Sequence, residues 1–211
     1  MAAVEELAAR FGWPLPTLER RDAWQQLLQR LDRVPSGAEY WLRLDPSHVA
    51  VRVQLAHRAA ALADRLKELR LALGEGADAW LALPIDELLA PISQQPWWSG
   101  PSRRAVQRVR VAVGRRASRR EIVERLHQAR EAHTLSAWFA THEATLAERL
   151  DAASPLEADW AAICAALEWV DHVQAAWPGP LPIDALIAHA RNPASLQPMI
   201  AQARQELSRS S

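Results

Sequence analysis

The sequence predicts an all-α protein: a bundle of three long, roughly antiparallel helices with additional short helices. Three observations carry this expectation. Alanine and leucine, the strongest helix formers, abound, while glycine accounts for only 7 of 211 residues. Apolar residues recur at spacings of three and four over long stretches. No stretch makes a convincing strand. The chain reads as one all-helical domain, 1–211, with an N-terminal half, 1–100, and a C-terminal half, 101–211, as the natural subdivision.

A chain of this length can bury a core without disulfides or metals. Its longest apolar runs are a few residues, far short of the roughly 18 that read as a membrane span. The start, Met1-Ala2-Ala3-Val4-Glu5-Glu6, lacks the basic and apolar regions of a secretory signal. The single Cys164 falls on an apolar helix face, as a plain core thiol does in a reducing compartment. The expectation is therefore a cytoplasmic protein without a membrane partner.

The first helix is expected over Val4 to Phe11, ended by the Trp13-Pro14-Leu15-Pro16 turn, since proline cannot continue a helical ladder. Thr17 is the expected N-cap of a second helix, in which Leu18, Trp24, Leu27, Leu28 and Leu31 recur until Pro35-Ser36-Gly37. Beyond Tyr40-Trp41-Leu42, Asp45-Pro46 reads as an N-cap with proline at the first helical position. It opens the first long helix, to about Leu73, closed by Gly74. Val51, Leu55, Leu62, Leu66, Leu69 and Leu73, with Ala59 near the missing step, follow the a/d alternation of a coiled-coil seam. Such a helix wants a partner alongside.

Residues 74–101, punctuated by glycine and proline, fit short helical pieces. A short arginine-rich helix from Ser102 to about Gly114 follows. Ser118-Arg119-Arg120-Glu121 is a capping box announcing the second long helix, to about Ala152. Its stripe begins with Ile122, Leu126 and Ala129, then shifts phase through Leu135, Trp138, Phe139, His142, Leu146 and Leu150. Ser154-Pro155-Leu156-Glu157 is the expected start of a third rod, with Leu156, Trp160, Ile163, Leu167, Val170 and Trp177 along its seam and Gln174 at the polar step. Pro178-Gly179-Pro180 stops it. Short helices over Ile183–Arg191 and from Pro193 to about Leu207 precede a fraying tail, Ser208 to Ser211. Leu83-Pro84-Ile85-Asp86 echoes Leu181-Pro182-Ile183-Asp184, more readily as reuse of a proline-started helix than as duplication.

Of the 25 basic residues all but Lys67 are arginine, a bias that with the alanine content reads as a GC-rich bacterial genome. Net charge is zero, but 101–120 holds eight arginines and no acid, against 17 basic and 25 acidic residues elsewhere. If one helix ran through Gly114, Arg104, Arg108, Arg115 and Arg119 would share a side able to neutralise phosphates. If a new helix starts at Ser118, Arg119 and Arg120 sit at its positive end and call for anions nearby. Those are phosphates, or Asp78, Asp86 and Glu87. The bland alternative is a solvated or internally paired face. Arg103, Arg104, Arg108, Arg110, Arg115 and Arg116 are the candidate nucleic-acid contacts.

Ten tryptophans against one tyrosine and two phenylalanines suggest stacking platforms, but Trp24, Trp138 and Trp160 lie within apolar stripes, where core packing is the simpler use. Trp97-Trp98 differ, isolated between Gln94-Gln95-Pro96 and Ser99-Gly100-Pro101. They either plug a groove of their own chain, the preferred reading, or anchor a protein partner. Glu124-Arg125-Leu126-His127 matches the Glu-x-x-His element of di-iron bundles, but the second such element a site needs is missing. His142, on an apolar face, reads as a satisfied core histidine. No nucleophile, phosphate loop or zinc spacing stands out, so no catalytic residue, metal or cofactor is assigned.

The run from Leu150 through Asp159-Trp160, followed by Ala165-Ala166-Leu167-Glu168-Trp169, resembles a helical segment of large bacterial superfamily I helicase-like proteins. There an Asp-Trp pair opens a helix carrying a second tryptophan, within an insertion or stalk on the ATP-driven motor. The resemblance covers about 30 residues. None of the motor's own signatures is present, so it implies an accessory helical module and carries over no ATPase residue. The expected function is a non-catalytic scaffold or protein-interaction module, engaging a protein partner or a second copy through its seams. It would be an accessory part of a larger nucleic-acid-processing or defence system. The alternative is a nucleic-acid-binding accessory domain using the arginine stretch.

Overall fold

A computed structural model describes residues 2–17, 20–44, 48–114, 117–177 and 179–209. Every regular element among them is helical: α1 (Ala2–Phe11), α2 (Arg21–Leu31), α3 (Ala38–Leu42), α4 (Val49–Leu73), α5 (Ala77–Leu81), α6 (Ile85–Gln94), α7 (Gly100–Val113), α8 (Arg119–Leu150), α9 (Trp160–Ala176), α10 (Ile183–Arg191) and α11 (Gln197–Arg209), with a 3-10 turn at Pro193–Ser195. The all-α expectation holds. No helix among the described residues is long and apolar enough to cross a membrane.

The chain forms two compact units, Met1–Arg58 with Asp159–Ser211, and Ala59–Ala158. In the first, α1 packs on α10 and α11, α2 on α9 and α11, and α3 on α9 and α10. Gly12 shapes its start. With φ +64°, Gly12 lets the Trp13 amide donate to Ala8 O at 2.7 Å while its own amide reaches Ala9 O, the paired bonds of a glycine-terminated helix end. This glycine stops α1 before the prolines could. It also delivers Trp13 between Trp24 and Trp177, with ring centroids 4.3 and 4.6 Å away, while Phe11 meets Trp177 edge-on. The open N-terminus of α1 is capped from afar, as the Glu206 carboxylate accepts from the amides of Ala3 and Val4.

In the second unit α6 packs on α7 and α8, and α5 on the same two helices. Leu73, Trp80, Leu88, Ile92, Val109, Ile122 and Leu126 form its core. Gly74 closes α4 at φ +71°, and Ser118 Oγ accepts from Glu121 N at 3.1 Å to start α8, both as the sequence indicates. The proline-started echo has a structural counterpart. Pro84 and Pro182 hold nearly the same backbone angles, their carbonyls accept from Leu88 N and Leu186 N, and both of those leucines are buried.

Several expected boundaries move. The third rod begins at Trp160 rather than at Ser154: Asp159 Oδ1 accepts from Ala162 N at 3.0 Å, whereas Ser154 and Glu157 close only a turn and leave Leu156 exposed. Here the aspartate is the cap that meets a helical amide. Thr17 does not cap α2, which starts at Arg21; its carbonyl accepts from Arg20 in a preceding turn. The seams are also less regular than a/d spacing implies. On α4, Ala59, Leu66, Leu69 and Leu73 are buried but Val51 is exposed, and on α9 the buried set widens to include Cys164, Ala166, Trp169 and Val173. The expected Asp45-Pro46 cap, Leu18, Pro178 and the tail residues Ser210 and Ser211 lie outside the described residues.

Candidate interaction surface

The arginine-rich segment forms α7. Ser99 Oγ accepts from Ser102 N at 3.3 Å to begin it, and Gly114, at φ +66°, ends it. The helix therefore does not run through Gly114, so the single face of Arg104, Arg108, Arg115 and Arg119 does not form. Arg115 and Arg116 lie outside the described residues.

The remaining arginines divide by the groups they meet. Arg110 donates from Nε and Nη2 to Ala117 O, at 3.0 and 2.8 Å, and so ties the end of α7 to the start of α8. Arg119 donates to the carbonyls of Ile92 and Gln95 at the end of α6. A cation in the first turn of α8 opposes that helix's dipole; here it is held by the negative end of another helix, where unpaired carbonyls accept. Asp86 is used elsewhere, by Arg130 at 3.3 Å. Arg125, on α8, likewise donates to Ala72 O at the end of α4. Internal carbonyls thus absorb Arg110 and Arg119.

Arg103, Arg104 and Arg108 are exposed on α7, which carries no acidic residue. None of the three pairs with a carboxylate among the described residues; Arg104 only reaches back to Gly100 O at 3.4 Å. Just before this helix stand Trp97 and Trp98, 63% and 62% exposed, edge-to-face with centroids 5.8 Å apart. This corrects the expectation that they plug a groove of their own chain. α6 ends at Gln94, Gln95 is extended, and a turn in which Ser99 N donates to Pro96 O at 3.0 Å leaves both indoles in solvent.

One feature of this surface escaped the sequence. Leu83, Pro84 and Leu88 at the start of α6 and Arg104, Gln107, Arg108, Val111 and Ala112 on α7 line an open, mainly apolar groove of about 550 Å³. Val111 is 70% exposed there. The available signal was a valine one turn beyond Arg108, on a helix face otherwise read for charge alone.

Elsewhere the chemical groups are spread out. Glu124 and His127 are exposed, and no three His, Cys, Asp or Glu side chains among the described residues gather as a metal site requires. His142 is half-buried, stacks on Trp138 at 4.3 Å and hydrogen-bonds Trp138 O through Nδ1 at 2.8 Å. Burial, with Glu168 nearby, pushes the Cys164 thiol above its ordinary pKa, which disfavours the nucleophilic thiolate. No protein-family model matches the chain, and neither the curated proteins nor the solved structures give a match.

Proposed function

We propose that this chain is a non-catalytic helical scaffold and protein-interaction module of the cytoplasm, whose contact surface is the corner where α6 turns into α7. The observation that carries the reading is the exposure of Trp97 and Trp98 beside Arg103, Arg104 and Arg108, which have no carboxylate partner among the described residues. Tryptophan and arginine are the residues that most often dominate binding energy, and adjacent exposed indoles are costly unless something covers them. Within residues 59–158, α8, of 32 residues, would supply the frame on which α6 and α7 are held. The resemblance around Asp159-Trp160 supports an accessory place in a larger nucleic-acid-processing or defence system.

The test compares wild type with the double variant Trp97→Ala/Trp98→Ala in affinity purification from the native cell. Expected is a protein recovered with wild type and lost with the variant, at unchanged melting temperature. Recovery of the same proteins by both would sink the reading.

A second reading has its own observation: three arginines with no carboxylate partner among the described residues, on a helix without acids, suit a polyanion. On that reading Arg103, Arg104 and Arg108 neutralise phosphates, and binding of labelled DNA or RNA weakens steeply with salt. Arg110, committed to Ala117 O, contributes less. Failure to bind at low salt, or binding that survives Arg104→Glu with Arg108→Glu, removes this alternative.

A further inference from the structure

We infer that the groove between α6 and α7 receives an acidic amphipathic helix of a partner protein. The inference rests on the protein-interaction reading above and specifies the partner's chemistry. Three observations converge on it. The groove is lined by side chains of two helices, with Leu83, Pro84 and Leu88 on one side and Val111 and Ala112 on the other. A third helix laid there would bury apolar surface on both, the helix-in-groove mode of recognition.

The stripe facing that third helix has a definite order. Arg104, Arg108 and Val111 stand at i, i+4 and i+7 on α7, so they share one face, with neighbouring side chains roughly 5–6 Å apart. A partner carrying two carboxylates one turn apart, followed by an apolar residue, matches it. The 14 residues of α7 extend about 21 Å, which suits a docked segment of about fifteen residues.

Charge then selects among occupants. The charged residues that line the groove are Arg104 and Arg108, so a basic segment would meet like charge on the α7 wall; Asp86 and Glu87, in the first turn of α6, are not part of the lining. A nucleic acid would satisfy the arginines but leave Leu83 and Val111 facing a phosphate backbone. An acidic helix with an apolar edge uses both halves of the groove.

The experiment is a selection of displayed random peptides of about fifteen residues on the immobilised full chain. Enriched sequences are then synthesised with a fluorescein label and titrated by anisotropy. Expected are acidic peptides with apolar residues at helical spacing, whose affinity falls more than about tenfold in Arg104→Glu/Arg108→Glu and also in Val111→Glu. All three substituted positions are exposed, and circular dichroism with melting checks that the fold is kept. Gln107→Glu, on the groove wall, provides a second variant expected to weaken the same peptides.

Enrichment of basic or uncharged peptides overturns the inference, as does affinity indifferent to both Val111→Glu and Gln107→Glu. An oligothymidylate that displaces the peptides, with Val111→Glu silent, identifies a surface that reads charge alone and favours the nucleic-acid alternative. If no peptide responds to the groove variants while Trp97→Ala/Trp98→Ala still abolishes recovery of a cellular partner, the groove inference falls and the interaction module stands. If the tryptophan variant also changes nothing, both fall.

Discussion

In the unit formed by both ends of the chain, Trp13, Trp24, Trp41, Trp160, Trp169 and Trp177 are all buried, none more than 8% exposed. In the unit of residues 59–158 only Trp80 is, while Trp138 is half-covered and Trp97 and Trp98 face solvent. The same side chain serves two ends because its neighbours differ. In the first unit the aromatic rings cover one another, with Trp13 between Trp24 and Trp177 and Phe11 edge-on to Trp177. The second closes mainly on leucine, isoleucine and valine, and its aromatic surplus lies outside.

The two units also satisfy the carbonyls at their helix ends differently. At the end of α2, Arg30 O accepts from the Trp169 indole at 2.8 Å and Leu31 O from His189 Nε2 at 2.7 Å. At the ends of α4 and α6 the donors are the guanidinium groups of Arg125 and Arg119. Neutral aromatic donors can sit inside a core, whereas a guanidinium keeps part of itself in water. The buried aromatic donors of the first unit and the exposed tryptophan pair of the second mark the same contrast between them.

The sharpest test of that difference exchanges one tryptophan in each unit. Trp24→Ala removes a ring packed against Trp13 and should cost about 3–5 kcal/mol, the range for deleting a buried aromatic. Trp97→Ala should change stability by less than about 0.5 kcal/mol. Urea titrations followed by circular dichroism read both. Equal losses would mean that Trp97 supports the fold, and its role as a contact residue would go.

Much of this contrast was legible in the sequence, and the remainder fails for identifiable reasons. Helix ends written in a few adjacent residues, such as Ser118 with Glu121 or Leu73 with Gly74, could be read directly. So could the separate character of Trp97-Trp98, though whether they are covered depends on the turn from Gln95 to Ser99. The packing of Trp169 was not legible, because it falls off the a/d seam and its partner is Arg30 O, 139 positions away. The arginines misled for the same reason. A charge run says nothing about which members meet helix-end carbonyls, and Arg110 and Arg119 do so while Arg103 and Arg108 do not. A unit built from the two ends of a chain leaves no mark in a linear reading.

His189 offers an intermediate effect. It is buried at 1% exposure, and because Leu31 O can only accept, Nε2 must carry the proton, which leaves Nδ1 bare and with no hydrogen-bond partner among the described residues. Burial is the main reason its pKa lies below the ordinary value near 6.5; the bond to Leu31 and the charge of Asp32 oppose the shift, and Arg10 adds to it. With a depressed folded value, the unfolded chain binds the proton first as pH falls. Stability is thus full above about pH 6.5 and declines below it until the folded value is reached, by at most about 1.4 kcal/mol per pH unit. His189→Gln should flatten that decline in urea midpoints measured from pH 7.5 to 5. An unchanged slope would place the acid sensitivity in other groups.

The smallest effect belongs to the second unit, where Arg65 on α4 grips Glu131 on α8 with two hydrogen bonds of 2.7 and 3.0 Å. The geometry is bidentate, and the bond from Arg65 holds the Glu131 carboxyl below its ordinary pKa despite an opposing contribution from burial. Yet both side chains are about half exposed, at 49% and 44%, so water and salt screen what the geometry offers. A cycle of Arg65→Ala, Glu131→Ala and the double variant should give a coupling well below the loss in Trp24→Ala, fading further in molar salt. The carboxylate's share should be present above about pH 4.5 and vanish as pH falls through its lowered folded value. A coupling as large as the buried tryptophan's, or one indifferent to salt, would show that surface charge rather than the aliphatic core holds α4 against α8, and the contrast between the units would then be one of electrostatics as much as of packing.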